Sequence, residues 1–337
     1  MQCFGTMHGK NVYFVKNIGA KRIRINFNPI ICETIIDLIT GIDIASTYGH
    51  IDILNWFIEI SFPFEYTTKA IDGASANGHL NVLQWFEKSG MTVKCTDKAL
   101  NGAVAHGHVE ILDWFEKSGY RLCCTLRAIV DATANGHLKV LDWFRENGYS
   151  FKYQKTCIFD EAAPNGHIEI LEWFRKFHPR RKTTEKARLW FDDTYEFNYS
   201  SFAIDGAAEG GHINVLNWFE CHGYEIKYNT AIISAARLGH IHILEWFEKR
   251  GYPLDTFDMK ICVEYAARHG RVNLLEWFKN SNWKFAYGDK AIDMAAVNGH
   301  LSVLNWFKDT GFKIKHIKEA IHGAKRNGHD HIISWFK

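Results

Sequence analysis

The sequence lacks every short motif that would mark a catalytic centre. It has no G-x-S-x-G, no H-E-x-x-H, no phosphate-binding G-x-x-x-x-G-K-[ST] and no G-x-G-x-x-G. It lacks a disulfide framework too: the eight cysteines, at 3, 32, 95, 123, 124, 157, 221 and 262, form no CxxC pair, and their scatter fits reduced thiols. No run approaches the roughly 18 apolar residues of a membrane span, and the first ten residues, MQCFGTMHGK, carry no apolar signal core. Charge of one sign is missing as well. A net charge of +2 over 337 residues does not make nucleic acid the default partner. These absences imply a soluble, cytoplasmic, non-enzymatic product without metal or cofactor.

What the chain has is repetition. Gly-His stands at 49, 78, 107, 136, 166, 211, 239, 299 and 328, with Gly-Arg at 270, and Trp-Phe follows seven residues after each glycine. Successive glycines are 29, 29, 29, 30, 45, 28, 31, 29 and 29 residues apart, a period of 29 with one insertion. Self-similarity at this period predicts a solenoid of about ten stacked units. The predicted organisation is a cap segment over 1–30, repeats one to five over 31–178, an insertion over 179–199 and repeats six to ten over 200–337. A cut at the insertion is expected to leave two folded halves.

Within one unit the pattern reads helix, tight turn, helix and short connector. The first helix, about Thr68 to Asn77, places Ala70, Ile71 and Ala74 on one face. Alanine recurs at the Ala74 position in all ten units, which implies close helix approach. Gly78 ends that helix in the left-handed conformation glycine adopts cheaply. The second helix runs from His79 to about Ser89 and is apolar on more than one face, through Leu80, Val82, Leu83, Trp85 and Phe86, so it should lie between its neighbours. Connectors such as Tyr224 to Tyr228 and Trp283 to Tyr287 alternate apolar and polar like short strands. Residues 12–16 and 22–27 predict a β-hairpin. The fold class is therefore all-α, a helix-turn-helix solenoid with a small N-terminal β-hairpin cap. Pro164, with no amide donor, should loosen the turn before the insertion.

This unit resembles the ankyrin repeat. Ile71 stands for that pattern's leucine, Ala74 for its first alanine, Gly78-His79 for its G-H, and Gly90 for its closing glycine, across residues 31–337. Lys69-Ala70-Ile71-Asp72 replaces T-P-L-H, so the hydrogen bonds of that motif do not carry over. The connector is about four residues short of the usual ~33. The variant N-G-H-L-x-V-L-x-W-F looks like the ankyrin-type proteins of giant DNA viruses of amoebae. The resemblance implies a monomeric scaffold that binds a protein, including host proteins, across the connectors and the variable end of the first helix.

The residues assigned to that face vary on the constant frame: Ile44, Asp131, Glu161, Tyr265 and Met294 two places after the Ile71 position, and Glu209, Arg237, Arg268 and Arg326 two places before glycine. The insertion adds a basic patch of Arg180, Arg181, Lys182, Lys186 and Arg188. It reads as a solvated loop or as a nuclear-localisation or acidic-partner site. The rows of histidines and of acids (Asp43, Asp72, Asp160, Asp205, Glu264, Asp293) recur because the repeat recurs. Zinc needs its ligands ~2.0–2.3 Å from one centre, and imidazoles a whole repeat apart cannot supply them. Gly78, His79, Trp85, Phe86 and Ala74 are structural positions. Two other functions fit the sequence: an adaptor for a host ubiquitin ligase, which only residues 1–30 are free to recruit, and nucleic-acid or anionic-surface binding through Lys10, Lys16, Lys21, Arg22, Arg24 and the insertion.

Overall fold

A computed structural model describes residues 4–8, 11–18, 21–27, 35–59, 65–120, 124–149, 158–177, 200–314 and 317–337. It divides into two compact units, one of residues 1–132 and 137–147, the other of 133–136 and 148–337.

The first unit begins with β1 (Phe4–His8), β2 (Asn11–Ile18) and β3 (Lys21–Phe27), antiparallel in that order. β2 and β3 pair from Val12 opposite Phe27 to Ile18 opposite Lys21. β1, which pairs with β2 from Phe4 opposite Val15, extends the pairing beyond the two strands expected. Helices then follow in pairs: α1 (Ile35–Thr47) and α2 (Ile51–Glu59), α3 (Thr68–Ala76) and α4 (Leu80–Lys88), α5 (Asp97–Ala105) and α6 (Val109–Lys117), α7 (Leu126–Ala134) and α8 (Leu138–Glu146). The last residues of α7 belong to the second unit.

The second unit continues with α9 (Ile158–Ala162) and α10 (Ile168–Phe177), then α11 (Ser201–Glu209) and α12 (Ile213–Cys221), α13 (Asn229–Leu238) and α14 (Ile241–Lys249), α15 (Thr256–Arg268) and α16 (Val272–Asn280). α17 (Asp289–Val297) with α18 (Leu301–Asp309) and α19 (Ile317–Arg326) with α20 (Asp330–Trp335) complete it. Each unit is thus a helical repeat array, and first helices pack on first helices of the next pair.

Hydrogen bonds at the glycines account for the pairing. At the end of α3 the His79 amide reaches the Ala74 carbonyl at 2.8 Å and the Gly78 amide reaches Ser75 at 3.3 Å. This is the Schellman arrangement, which needs a left-handed residue, and Gly78 has φ +74°. Gly90 closes α4 in the same way, with Gly90 bonding Glu87 and Met91 bonding Phe86, both at 3.1 Å. The Ala74 side chain and its nine equivalents are all buried, and so are Ile71, Leu83 and Phe86. Close packing of neighbouring helices at those positions suits a methyl group.

Two expectations are corrected. No strand forms in the described connectors. Residues 224–228 keep the alternating burial, with Tyr224 and Ile226 buried and Glu225 and Lys227 exposed. Successive connectors are instead tied by side chains: the Tyr287 hydroxyl donates to the Lys313 carbonyl at 3.0 Å and the Trp283 indole to that of Tyr252 at 2.8 Å. Pro164 does not loosen its turn. The helix tightens to a 3-10 turn over Ala163–Asn165, as suits a residue without an amide hydrogen. Gly166 keeps φ +76° and the His167 amide still bonds Ala162 at 3.1 Å.

A candidate partner-binding face and its groove

Three ladders of polar side chains join consecutive repeats. The first is histidine. His79 sits at the N-terminus of α4 but makes no side-chain cap. After the first repeat, the ring of each Gly-His histidine lies instead on the glycine of the preceding repeat, as His108 does on Gly78 and His300 on Gly270. There its Nε2 bonds a carbonyl at the end of the preceding first helix: His108 to Ala76 at 3.1 Å, His167 to Ala134 at 3.0 Å, His240 to Glu209 at 2.8 Å, His300 to Arg268 at 2.9 Å. Helix ends leave such carbonyls without intrahelical partners. Arg271, the one departure from Gly-His, packs on Gly239 and donates to the Arg237 carbonyl, so it serves the same end. Burial, with neighbouring histidines second, pushes the His79 ring below the usual imidazole value. Burial does the same at His212.

The second ladder is tryptophan. Trp85 donates its indole hydrogen to Asn55 at 2.7 Å, Trp143 to Asp113 at 2.6 Å, Trp246 to Asn217 at 2.6 Å, Trp306 to Glu276 at 2.7 Å and Trp335 to Asn305 at 2.7 Å. Each acceptor immediately precedes the Trp-Phe pair of the repeat before.

The third is the acid row. Asp72 accepts from both the amide (2.8 Å) and the hydroxyl (2.7 Å) of Thr96, the residue that caps α5. Asp43 holds Thr67 likewise, and Asp160 holds Ser200. Asn101, outside the acid row, does the same for Thr125. The carboxylates therefore fix where the next helix begins. Thr96→Ala removes the cap and one of the two Asp72 bonds, and should lower stability by about 1–2 kcal/mol in urea denaturation.

The variable positions form a different population. Ile44 is 52% exposed. Asp131 pairs with Arg127 at 2.9 Å, and Arg326 is exposed. Arg268 lies over Tyr265, with its guanidinium 6.0 Å from the ring, and its Nη2 stands 3.2 Å from the Met294 sulfur. Those three predicted residues are brought together. Where the first variable row is glycine, the second fills the space: a β-carbon on Gly102 would meet Ala76 at 2.5 Å, and one on Gly206 would meet Pro164 at 2.3 Å. Part of the variation thus serves packing. Arg180, Arg181, Lys182, Lys186 and Arg188 lie outside the described residues, as does Lys10.

The other predicted residues, Glu161, Glu209 and Arg237, meet at a groove of about 900 Å³ in the second unit, and the two acids line it with Pro164, Phe202, Asp205 and Leu238. Arg237 pairs with Glu209 at 2.7 Å. The groove arises from coincident departures from the repeat. Before the turn glycine, seven units carry Asn or His, and Asn77, His106, Asn165, His269 and Asn298 cover the carbonyl four residues back at 2.8–3.0 Å. At this site the residues are Gly210 and Leu238, so the cover is gone, and Leu238 and Phe202 are 43% and 71% exposed. The cap position of α13 is Tyr228 rather than Thr or Ser, and it makes no side-chain cap.

Asp205 consequently lacks the cap that Asp43, Asp72 and Asp160 hold. Its buried Oδ1 has no hydrogen-bond partner among the described residues. Burial raises its carboxyl to about 6. Because the folded state then holds a proton that the unfolded state releases near pH ~4, stability contributed by the neutral form is lost as pH rises from about 4 through about 6. Asp205→Asn should therefore raise stability at about pH 7 by roughly 1 kcal/mol, discounted for partial exposure, and the gain should fade toward about pH 4. Thermal melts of both chains across that range check the sign.

Among the described residues no three His, Cys, Asp or Glu side chains are grouped to hold a metal, and no helix is long and apolar enough to cross a membrane. No protein-family model matches the chain, and no curated protein matches it. Solved structures of helical repeat proteins are similar over most of its length. The pentatricopeptide repeat protein PPR10 from maize matches with a TM-score of 0.35 and 10% identity, over 88% of this chain and 48% of that one. PPR10 in complex with an 18-nt psaJ RNA element matches with a TM-score of 0.32 and 14% identity, over 90% and 50%. The chain thus spans about half the length of these structures.

Proposed function

We propose that this chain is a non-catalytic scaffold of short ankyrin-type units that binds a partner protein across the variable ends of its first helices. One observation carries the reading. The recurring polar groups are engaged between repeats, whereas the variable side leaves large apolar side chains in water: Ile44 and Tyr48 in the first unit, Phe202 and Leu238 in the second. Exposed apolar groups on a rigid frame are what a protein interface is built from. Origin in a giant DNA virus, which rests on the repeat's resemblance alone, belongs to the same proposal, as do residence in the cytoplasm and a capping role for the N-terminal strands, which rest on the sequence pattern.

Proximity labelling in the native cell tests it, comparing the intact chain with one carrying Ile44→Ser, Phe202→Ser and Leu238→Ser. All three positions are exposed, so the fold should survive, which circular dichroism verifies. A defined protein set that vanishes with the substitutions supports the reading. An unchanged set, or recovery of RNA in place of protein, rejects it.

A further inference from the structure

We propose that the groove between α11 and α13 receives a cationic segment of a partner protein, seating an apolar side chain against Phe202, Leu238 and Pro164 and bringing an ammonium or guanidinium group to the Asp205 carboxylate. The inference rests on the scaffold reading above and specifies the partner's chemistry at one place.

Charge points to it first. Four carboxylates line the groove, at 160, 161, 205 and 209, and no lysine or arginine does. Arg237 is held by Glu209 at 2.7 Å, and Asp160 is already occupied by the Ser200 cap. Glu161 and Asp205 are the carboxylates left over, and of the two Asp205 has an oxygen out of contact with water. Asp205 occupies the same repeat position as Asp72 and Asp160, but Tyr228 stands where their partners carry a hydroxyl. Its Oδ1 is out of contact with water and without a partner among the described residues.

A half-buried carboxylate that lacks its full set of partners gains most from a charged donor, because charge-assisted hydrogen bonds strengthen as water is excluded. An acidic ligand would meet four like charges. A neutral apolar ligand would cover the carboxylates without replacing their water, which is unfavourable. The apolar walls select the remaining feature. Phe202 and Leu238 are exposed in the groove lining, so a side chain next to the cation is buried against them as the charge docks.

The experiment selects a random dodecapeptide library on the full chain. Enriched peptides, made with a fluorophore, are then titrated by polarisation against the intact chain and its variants. Enrichment of peptides with Arg or Lys within three residues of a Leu, Ile or Phe is expected. Their affinity should fall at least ten-fold with Asp205→Asn and with Phe202→Ser plus Leu238→Ser. It should be unchanged with Asp72→Asn, which alters an equivalent carboxylate engaged in capping. Acidic or uncharged winners, no enrichment, or binding indifferent to Asp205→Asn would overturn the proposal. Equal weakening by Asp72→Asn would place the effect in the stack and overturn it as well. A labelled protein set in cells that depends on Phe202 and Leu238, found without cationic selectivity, would leave the scaffold standing and remove only this assignment.

Discussion

Gly78→Ala will cost the protein about 3 kcal/mol in urea unfolding, while Gly90→Ala, the same change at the other end of the same helix, will cost about 1 kcal/mol. Both glycines have positive φ, +74° and +68°, so alanine meets similar backbone strain at each. The surroundings differ. A β-carbon at Gly90 meets nothing within 4 Å, whereas at Gly78 it would lie 2.7 Å from the ring of His108. That ring cannot step aside freely, because its Nε2 is bonded to the Ala76 carbonyl at 3.1 Å. Either the overlap stays or the bond between repeats breaks, and each outcome adds a cost of about 1–3 kcal/mol to the strain. Equal losses at the two glycines would show that the histidine does not press on the turn and that the ladder is slack. The prediction transfers to Gly107 and Gly270, where His137 and His300 sit as closely.

The turn itself was legible in the sequence, and the ladder was not. A glycine at fixed spacing between apolar helices specifies a left-handed cap through local geometry, so α3 and α4 fall within a residue or two of where the pattern places them. The bonds between repeats join residues 24 to 46 apart. A strict period makes every such residue look like a copy of itself, whether its partner lies in its own unit or in the next. One signal was present without being used: the residue before Trp-Phe is polar in every repeat, from Asn55 to Ser334, and a surface helix alone does not require that. Asn101 falls outside a row defined by charge, whereas the operative property is an oxygen that accepts from the next cap. The groove was hidden for another reason. Gly210, Leu238 and Tyr228 each look like ordinary drift at one position, and only stacking the repeats brings those departures together around Asp205.

Phe247→Ala should destabilise the protein by about 4 kcal/mol, more than either glycine change. Phe247 is fully buried, with the Trp246 ring edge-on at 5.1 Å and the Tyr252 ring at 5.4 Å. Its removal leaves a cavity walled by rings that their own bonds hold in place. Trp246 donates to Asn217 at 2.6 Å and carries the Arg250 guanidinium 4.0 Å from its centroid, and Arg250 is itself tied to Glu220. Trp246→Phe is the informative partner change. It keeps an aromatic body in the stack, and Asn217 retains its bond from Arg250 at 3.2 Å, so the loss should stay under about 1.5 kcal/mol. In an array whose stability is a sum of repeat and nearest-neighbour terms, the Phe247→Ala loss should also be local. Hydrogen exchange should show amides of α13 to α16 losing protection first, with α17 to α20 holding theirs longer. If protection falls evenly across the second unit, that unit opens as one block, and the coupling carried by the histidine and tryptophan ladders exceeds the stability of any single repeat.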